Sequence, residues 1–248
     1  MFQSIIICAI FINFITCLTV RAMHGGRFDY DPDVFPNYSG KNILIAGMLG
    51  QPETAFQYID LPYCYSGYLR YSMLGYNPIN AGRQLSALAR EKDCVLAVSV
   101  GCKAIVYAGI PGAKRVFVNP CTHPKSLEPK LKRKLRIITP ILEILSYLLG
   151  WFTVIRVIKT RQGERYSPAL LIDQLFWACY GDPDYGKVCY QDRTGIVLST
   201  RDEYIENDVV SKIYDRAEKV IIPARHGFIA SPYVSNLYNE AINNLLVL

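Results

Sequence analysis

The chain predicts an α/β fold, a mostly parallel sheet of about six strands covered by helices on both faces. Three observations carry that expectation. Short runs such as Asn42-Ile-Leu-Ile-Ala-Gly47, Cys94-Val-Leu-Ala-Val-Ser99 and Gly195-Ile-Val-Leu-Ser-Thr200 are apolar nearly throughout, as strands buried on both faces must be, whereas a one-sided antiparallel sheet alternates apolar and polar residues. Helical patterns separate these runs, which parallel strands need for their crossovers. With 248 residues, 51% of them hydrophobic, the chain can bury one large core.

Taken in order, residues 1–22 form an apolar segment, and Met1 to Val20 has no charged side chain. Three readings of it stay open: a signal peptide, with Val20 and Ala22 as the small residues a peptidase reads; an uncleaved anchor, with Arg21 and Arg27 on its cytoplasmic side; or sequence upstream of a true start at Met23. Residues 23–40 are a Gly, Pro and Asp-rich connector, and 41–248 make the folded domain. Strand Asn42–Gly47 precedes a short helix near Glu53–Asp60. Tyr68–Met73 is a strand followed by a helix from Ile79 to Lys92, and Cys94–Ser99 a strand followed by a helix from Gly101 to Tyr107. Arg115–Asn119 is the next strand. With only the connector ahead of the first strand, antiparallel edge strands are not expected. The alternation stops between about 121 and 188 and resumes with Gly195–Thr200 and Lys219–Pro223.

The turn after the third strand is the first chemical signal. Ala97-Val98-Ser99-Val100-Gly101 delivers a serine between two small residues at a strand-to-helix junction. A sharp turn that leaves a serine Oγ exposed needs small neighbours two residues to either side, so Ser99 is a candidate nucleophile. Ala97 stands where such elbows most often carry Gly, and its Cβ adds crowding.

Two further residues follow strand ends. Gly195–Thr200 runs into Arg201-Asp202-Glu203-Tyr204-Ile205, and Lys219–Pro223 runs into Ala224-Arg225-His226-Gly227-Phe228. The order Ser, Asp, His, each past the end of its own strand, together with the His-Gly-Phe motif, resembles the α/β-hydrolases from about Lys41 to the C-terminus. The resemblance implies Ser99 as nucleophile, Asp202 as acid and His226 as base, with Glu203 an alternative acid. It implies an oxyanion hole formed by the backbone N–H groups of Met48, in the loop after the first strand, and Val100. It also implies a cap inserted at 121–188, and a serine esterase or lipase-like enzyme that forms an acyl-enzyme and needs no cofactor. Ala46 stands where many members have His.

Other histidines are worse placed. His24 lies in the connector, and His123 follows the fourth strand rather than the last. The alternative function is a non-catalytic hydrolase-fold protein that binds a lipid or partner at a membrane. A nucleotide site is disfavoured, since Gly47-Met-Leu-Gly50 lacks both the dinucleotide fingerprint and the Gly-Lys-Ser/Thr of a phosphate loop.

The eight cysteines include no C-x-x-C pair, so a metal site is not expected. Cys64, Cys121, Cys179 and Cys189 are free to pair in an oxidising compartment. The net charge of +6 is concentrated around the insert: Lys125, Lys130, Lys132, Arg133, Lys134 and Arg136 precede the apolar run Ile137–Ile155, and Arg156, Lys159 and Arg161 follow it. Basic flanks on hydrophobic sequence suit an anionic membrane surface better than nucleic acid. The run is nearly long enough to span a bilayer, yet a single crossing would put Ser99 and His226 on opposite sides. An interfacial or packed cap helix is therefore expected, making the enzyme membrane-associated or, if residues 1–22 are cleaved, secreted.

Overall fold

A computed structural model describes residues 2–29, 42–48, 65–89, 94–110, 113–159, 165–181, 193–226 and 232–247. The elements in chain order are α1 (Phe2–His24), β1 (Phe28–Asp29), β2 (Asn42–Ile45), β3 (Tyr65–Tyr71), α2 (Pro78–Leu88), β4 (Cys94–Val98) and α3 (Cys102–Ala108). Then come β5 (Lys114–Val118), α4 (Pro129–Leu149), α5 (Trp151–Ile155), the small hairpin β6 (Ile158–Lys159) and β7 (Arg165–Tyr166), and α6 (Pro168–Tyr180). The chain closes with β8 (Thr194–Arg201), α7 (Asn207–Ile213), β9 (Glu218–Arg225) and α8 (Pro232–Val247).

The main sheet has the order β1-β3-β2-β4-β5-β8-β9. Its six strands from β3 to β9 are all parallel. The seventh departs from the expectation: Phe28 and Asp29, within the connector, pair antiparallel with Tyr71 and Arg70. Two residues are too few to give a periodic signal in sequence; the side chain of Gln84 fixes them by accepting from the Phe28 N–H at 2.7 Å and donating to the Phe28 carbonyl at 2.8 Å.

Period-two geometry explains the apolar strands. Along β4, Val95 and Ala97 enter one core with Ala81, Leu85 and Ile105, while Cys94, Leu96 and Val98 enter a second with Tyr238, Ile242 and Leu245. Phe117 and Val116 divide in the same way on β5. Each of these two strands thus feeds two cores at once, and its inner positions are apolar on both faces.

Helix starts follow local chemistry. Asn77 Oδ1 accepts from the N–H groups of Ile79 and Asn80, with Pro78 at the first position of α2. Ser167 caps α6 by accepting from Leu170, again before a proline. Glu128 does the same for α4 through Leu131. Each satisfies backbone donors that the first turn leaves unpaired.

The apolar run is not one helix. α4 begins at Pro129 and carries the basic cluster itself, and Gly150, at φ +54°, breaks the chain into α4 and α5. The helix expected near Glu53–Asp60 lies outside the described residues, as do Cys64, Cys189 and the residues after His226 in the His-Gly-Phe motif. Among the described cysteines, Cys121 and Cys179 are free rather than paired.

Candidate active site

In sheet order β2 lies between β3 and β4, so the chain turns one way to reach β3 and the other way to reach β4. In open parallel sheets ligands bind at the carboxyl ends of the strands where this reversal occurs. Ser99 stands there, directly after β4. It sits in a single 3₁₀ turn, Ser99–Gly101, and adopts φ +50°, a region L-residues seldom occupy. Gly101 permits the turn: a Cβ there would fall 2.3 Å from the Ala46 carbonyl oxygen. Ala97, by contrast, is accommodated, since its methyl points into the core. The Cys121 N–H donates to the Ser99 carbonyl at 3.1 Å and holds the elbow from the β5 side.

Ser99, Asp202 and His226, which the sequence separates widely, meet in space. His226 Nε2 lies 3.0 Å from Ser99 Oγ, and its Nδ1 lies 2.7 Å from Asp202 Oδ2. The Asp202 side chain is fully buried and that of His226 is 15% exposed. Asp202 Oδ1 accepts from the N–H groups of Tyr204 at 2.8 Å and Ile205 at 2.9 Å, which fixes the carboxylate plane. An ionised carboxylate only accepts, so His226 Nδ1 carries a proton and Nε2 presents its lone pair to the Ser99 hydroxyl. The edge of the Tyr204 ring packs against the imidazole at 5.2 Å between centroids.

The competing residues are elsewhere. Glu203 is exposed, and His24 is exposed at the end of α1. His123 is buried and its Nδ1 accepts from the Lys125 N–H at 2.9 Å, a role at the start of a short turn. Cys102 and Cys121 are buried near the elbow. Burial pushes both thiols up, that of Cys121 to about 11, which suppresses the thiolate a nucleophile requires. Among the described residues, no group of three or more His, Cys, Asp or Glu is placed to hold a metal ion.

The loop after β2 comes close to Ser99. A Cβ on Gly47 would lie 3.2 Å from Ser99 Cβ, so Met48 follows a residue in contact with Ser99. Two buried phenols brace the backbone here: Tyr71 Oη donates to the Ala46 carbonyl at 2.7 Å, and Tyr76 Oη to the Val100 carbonyl at 2.9 Å. Neither tyrosine carries a sequence signal that marks it from a core aromatic.

Behind Ser99, His226 and Asp202 lies a polar network that the sequence did not announce. Asn119, at φ +45°, donates from Nδ2 to Ser199 Oγ at 2.9 Å and accepts the Ser199 N–H at 2.9 Å. Ser199 Oγ lies 2.8 Å from Tyr238 Oη, whose proton goes to the Arg225 carbonyl at 2.9 Å, so Ser199 is the donor between them. The β8–β9 register slips between Ser199 and Arg201. That slip lifts Asp202 off the ladder, and Asn207 Nδ2 takes up the Ser199 carbonyl at 2.8 Å.

No family model matches the sequence, and no curated protein matches it. Solved structures do. A monoacylglycerol lipase from Paleococcus ferrophilus superposes with a TM-score of 0.53 at 14% identity, covering 84% of this chain and 94% of that one. A carboxylesterase structure from Nitrososphaera gargenis gives 0.51 at 14% identity, covering 89% and 96%. An alpha/beta hydrolase from Novosphingobium aromaticivorans gives 0.50 at 14% identity, covering 89% and 97%. Sheet order, the strained elbow and these superpositions agree: the fold of this chain is that of the α/β-hydrolase superfamily.

Proposed function

We propose that this chain is a serine hydrolase cleaving carboxylic esters with a hydrophobic acyl group, and that Ser99, His226 and Asp202 are its triad. The observation that carries the reading is the unbroken path from Ser99 Oγ through the imidazole to Asp202, at 3.0 and 2.7 Å. His226 Nε2 takes the Ser99 proton as Oγ bonds to the ester carbonyl carbon. The negative charge that develops on the carbonyl oxygen is received by the N–H groups of Met48 and Val100, each such donor contributing about 2.7–4 kcal/mol in comparable sites. Collapse of the tetrahedral adduct expels the alcohol, which takes the proton from His226. Water then attacks the acyl-enzyme, His226 accepts its proton and returns it to Ser99 as the acid leaves.

The neighbours with this fold include a protein described as a monoacylglycerol lipase and one described as a carboxylesterase; they support an ester substrate here. The apolar exposed surface of α4 and α5 suits contact with a lipid phase, which supports a substrate with a hydrocarbon acyl chain. The test is labelling of the full chain by a fluorophosphonate, with hydrolysis of esters of graded chain length. Ser99→Ala should lose labelling and activity, on the scale of ~10⁶ in kcat for removal of such a nucleophile, while keeping the parent Tm. Retention of more than about a tenth of the activity, far outside that scale, removes Ser99 from the role.

A further inference from the structure

The N-terminal helix does not hang free of the domain. Arg21, in its last turns, is 4% exposed and buried among cap residues. Its guanidinium reaches Asp173 of α6 at 2.5 Å and Ser146 Oγ of α4 at 2.7 Å, and lies 4.2 Å over the Tyr147 ring. The second oxygen of Asp173 accepts the Tyr76 N–H at 2.9 Å. Two further ties follow along α1: Asn13 Oδ1 accepts from the Trp151 N–H at 3.3 Å, and Trp151 Nε1 donates to Thr16 Oγ1 at 3.0 Å. Cys17 completes a small core with Val154 and Ala169. A chain cut after Ala22 would lose every one of the contacts that α1 makes and leave a buried aspartate without its cation, a change that is strongly destabilising.

The surface beside this joint is inverted. On α4 the side turned inward carries the fully buried Thr139 and Ser146, while Ile137, Ile141, Ile144 and Leu148 are exposed along one stripe at helical spacing. The stripe continues onto α5, where Phe152 is 72% exposed. Around α1, Ile5, Ile7, Ile10, Phe11 and Ile12 are exposed on every side. A continuous exposed apolar stripe of this kind, backed by buried polar residues, marks a surface that meets an apolar phase. Exposed Lys130, Arg133, Lys134 and Arg136 on one end of the stripe, with Arg156 and Lys159 on the other, place cations where acidic headgroups would lie.

We infer that α1 is a retained anchor latched to the catalytic domain by Arg21 and Asp173, and that its apolar surface and the α4–α5 stripe insert together into an anionic lipid bilayer. The part of α1 ahead of the joint, from Gln3 to Ile12, is about 15 Å long at 1.5 Å per residue, the depth of one leaflet. Because Asn13 and Thr16 touch Trp151, the α5 stripe meets the lipid at the base of that segment. The domain is thereby held in one orientation, where a flexible tether would let it tumble. The inference does not rest on the hydrolase reading, and none of its readouts uses hydrolysis.

The full chain, tagged at its C-terminus and isolated from membranes, should show an intact mass that includes α1; a chain beginning at or after Ala22 overturns the proposal. Of the two tryptophans, Trp177 is replaced in Trp177→Phe, which leaves Trp151 as reporter. In vesicles of phosphatidylcholine and phosphatidylglycerol with brominated acyl chains, most Trp151 emission should be lost relative to unbrominated lipid; unchanged emission overturns insertion. Arg21→Met and Asp173→Asn should each lower Tm, with the double variant no lower than the worse single one. Additive losses overturn the latch, and should the single variants not fold, the intact mass and Trp151 quenching decide.

Discussion

Tyr238 Oη donates to the carbonyl of Arg225, the residue immediately before His226, at 2.9 Å. Through this bond α8 sets the height of His226, just past the end of β9, and through Ser199 it is tied to the strand that presents Asp202. Tyr238 touches neither Ser99 nor the imidazole, so it is a positioning residue. Tyr238→Phe keeps the packing and removes the bond, worth about 0.5–1.5 kcal/mol. We expect kcat on a short-chain ester to fall about 3–10-fold with KM nearly constant. A matched loss in KM would instead indicate damage to substrate binding.

Asp202→Asn should be far more damaging than Glu203→Gln. Only Asp202 reaches His226 Nδ1, and its other oxygen is occupied by two backbone N–H groups. An amide at 202 can donate to Nδ1 and favour the wrong tautomer, an effect of about 10⁴ in kcat for the equivalent change in trypsin. Glu203 is exposed, and its neutralisation should leave kcat within about twofold, a surface change of at most ±0.5 kcal/mol. Steady-state kinetics on both folded variants decides, and the reverse ranking assigns the acid to Glu203.

Gly101→Ala should be lost to misfolding or to inactivity. The added methyl meets the Ala46 carbonyl oxygen at 2.3 Å and Tyr71 Oη at 2.8 Å, both fixed by the sheet and core. The elbow and the loop carrying Met48 must then separate. A cost of about 1–3 kcal/mol is expected from overpacking, measured by thermal unfolding, with fluorophosphonate labelling reduced even where the fold survives.

Lys103, one turn beyond Ser99, is 1% exposed and donates to the Trp177 carbonyl. Burial lowers its ammonium from 10.5 to about 8. Between pH 8 and 10.5 the unfolded chain therefore holds a proton there that the folded chain has released, so this group's contribution to stability rises with pH across that window. Below pH 8 both states are protonated and the full penalty, ~3 kcal/mol, is present. Denaturant unfolding of the parent and Lys103→Met at pH 7 and pH 10 should show their difference moving towards the parent by most of that amount. A constant difference would show that Lys103 is not buried as an amine.

Sequence made much of this architecture legible where burial imposed a pattern. β4 and β8 are filled on both faces, so their apolar runs stand out, and the residues placed after β4, β8 and β9 come together as the hydrolase order implies. What stayed hidden is what has no period. Phe28 and Asp29 form an edge strand too short to alternate. Asn119, Ser199 and Tyr238 each look like an ordinary polar or aromatic residue, and only the sheet order brings them together. The tie from Arg21 to Asp173 spans 152 positions, and Arg21 read as a flanking charge because nothing local distinguishes a solvated arginine from a buried one.

Ser99 and His226 are 127 residues apart, and at ribosomal rates of about 5–20 residues per second His226 emerges on the order of 6–25 s after Ser99. Through that interval the serine is an ordinary alcohol. On the proposed reading, no nascent fragment that ends before residue 226 can attack an ester, and none that ends before Tyr238 has the bond that ties the chain before His226 to α8. On that reading, reactivity is acquired only after residue 238 has been made.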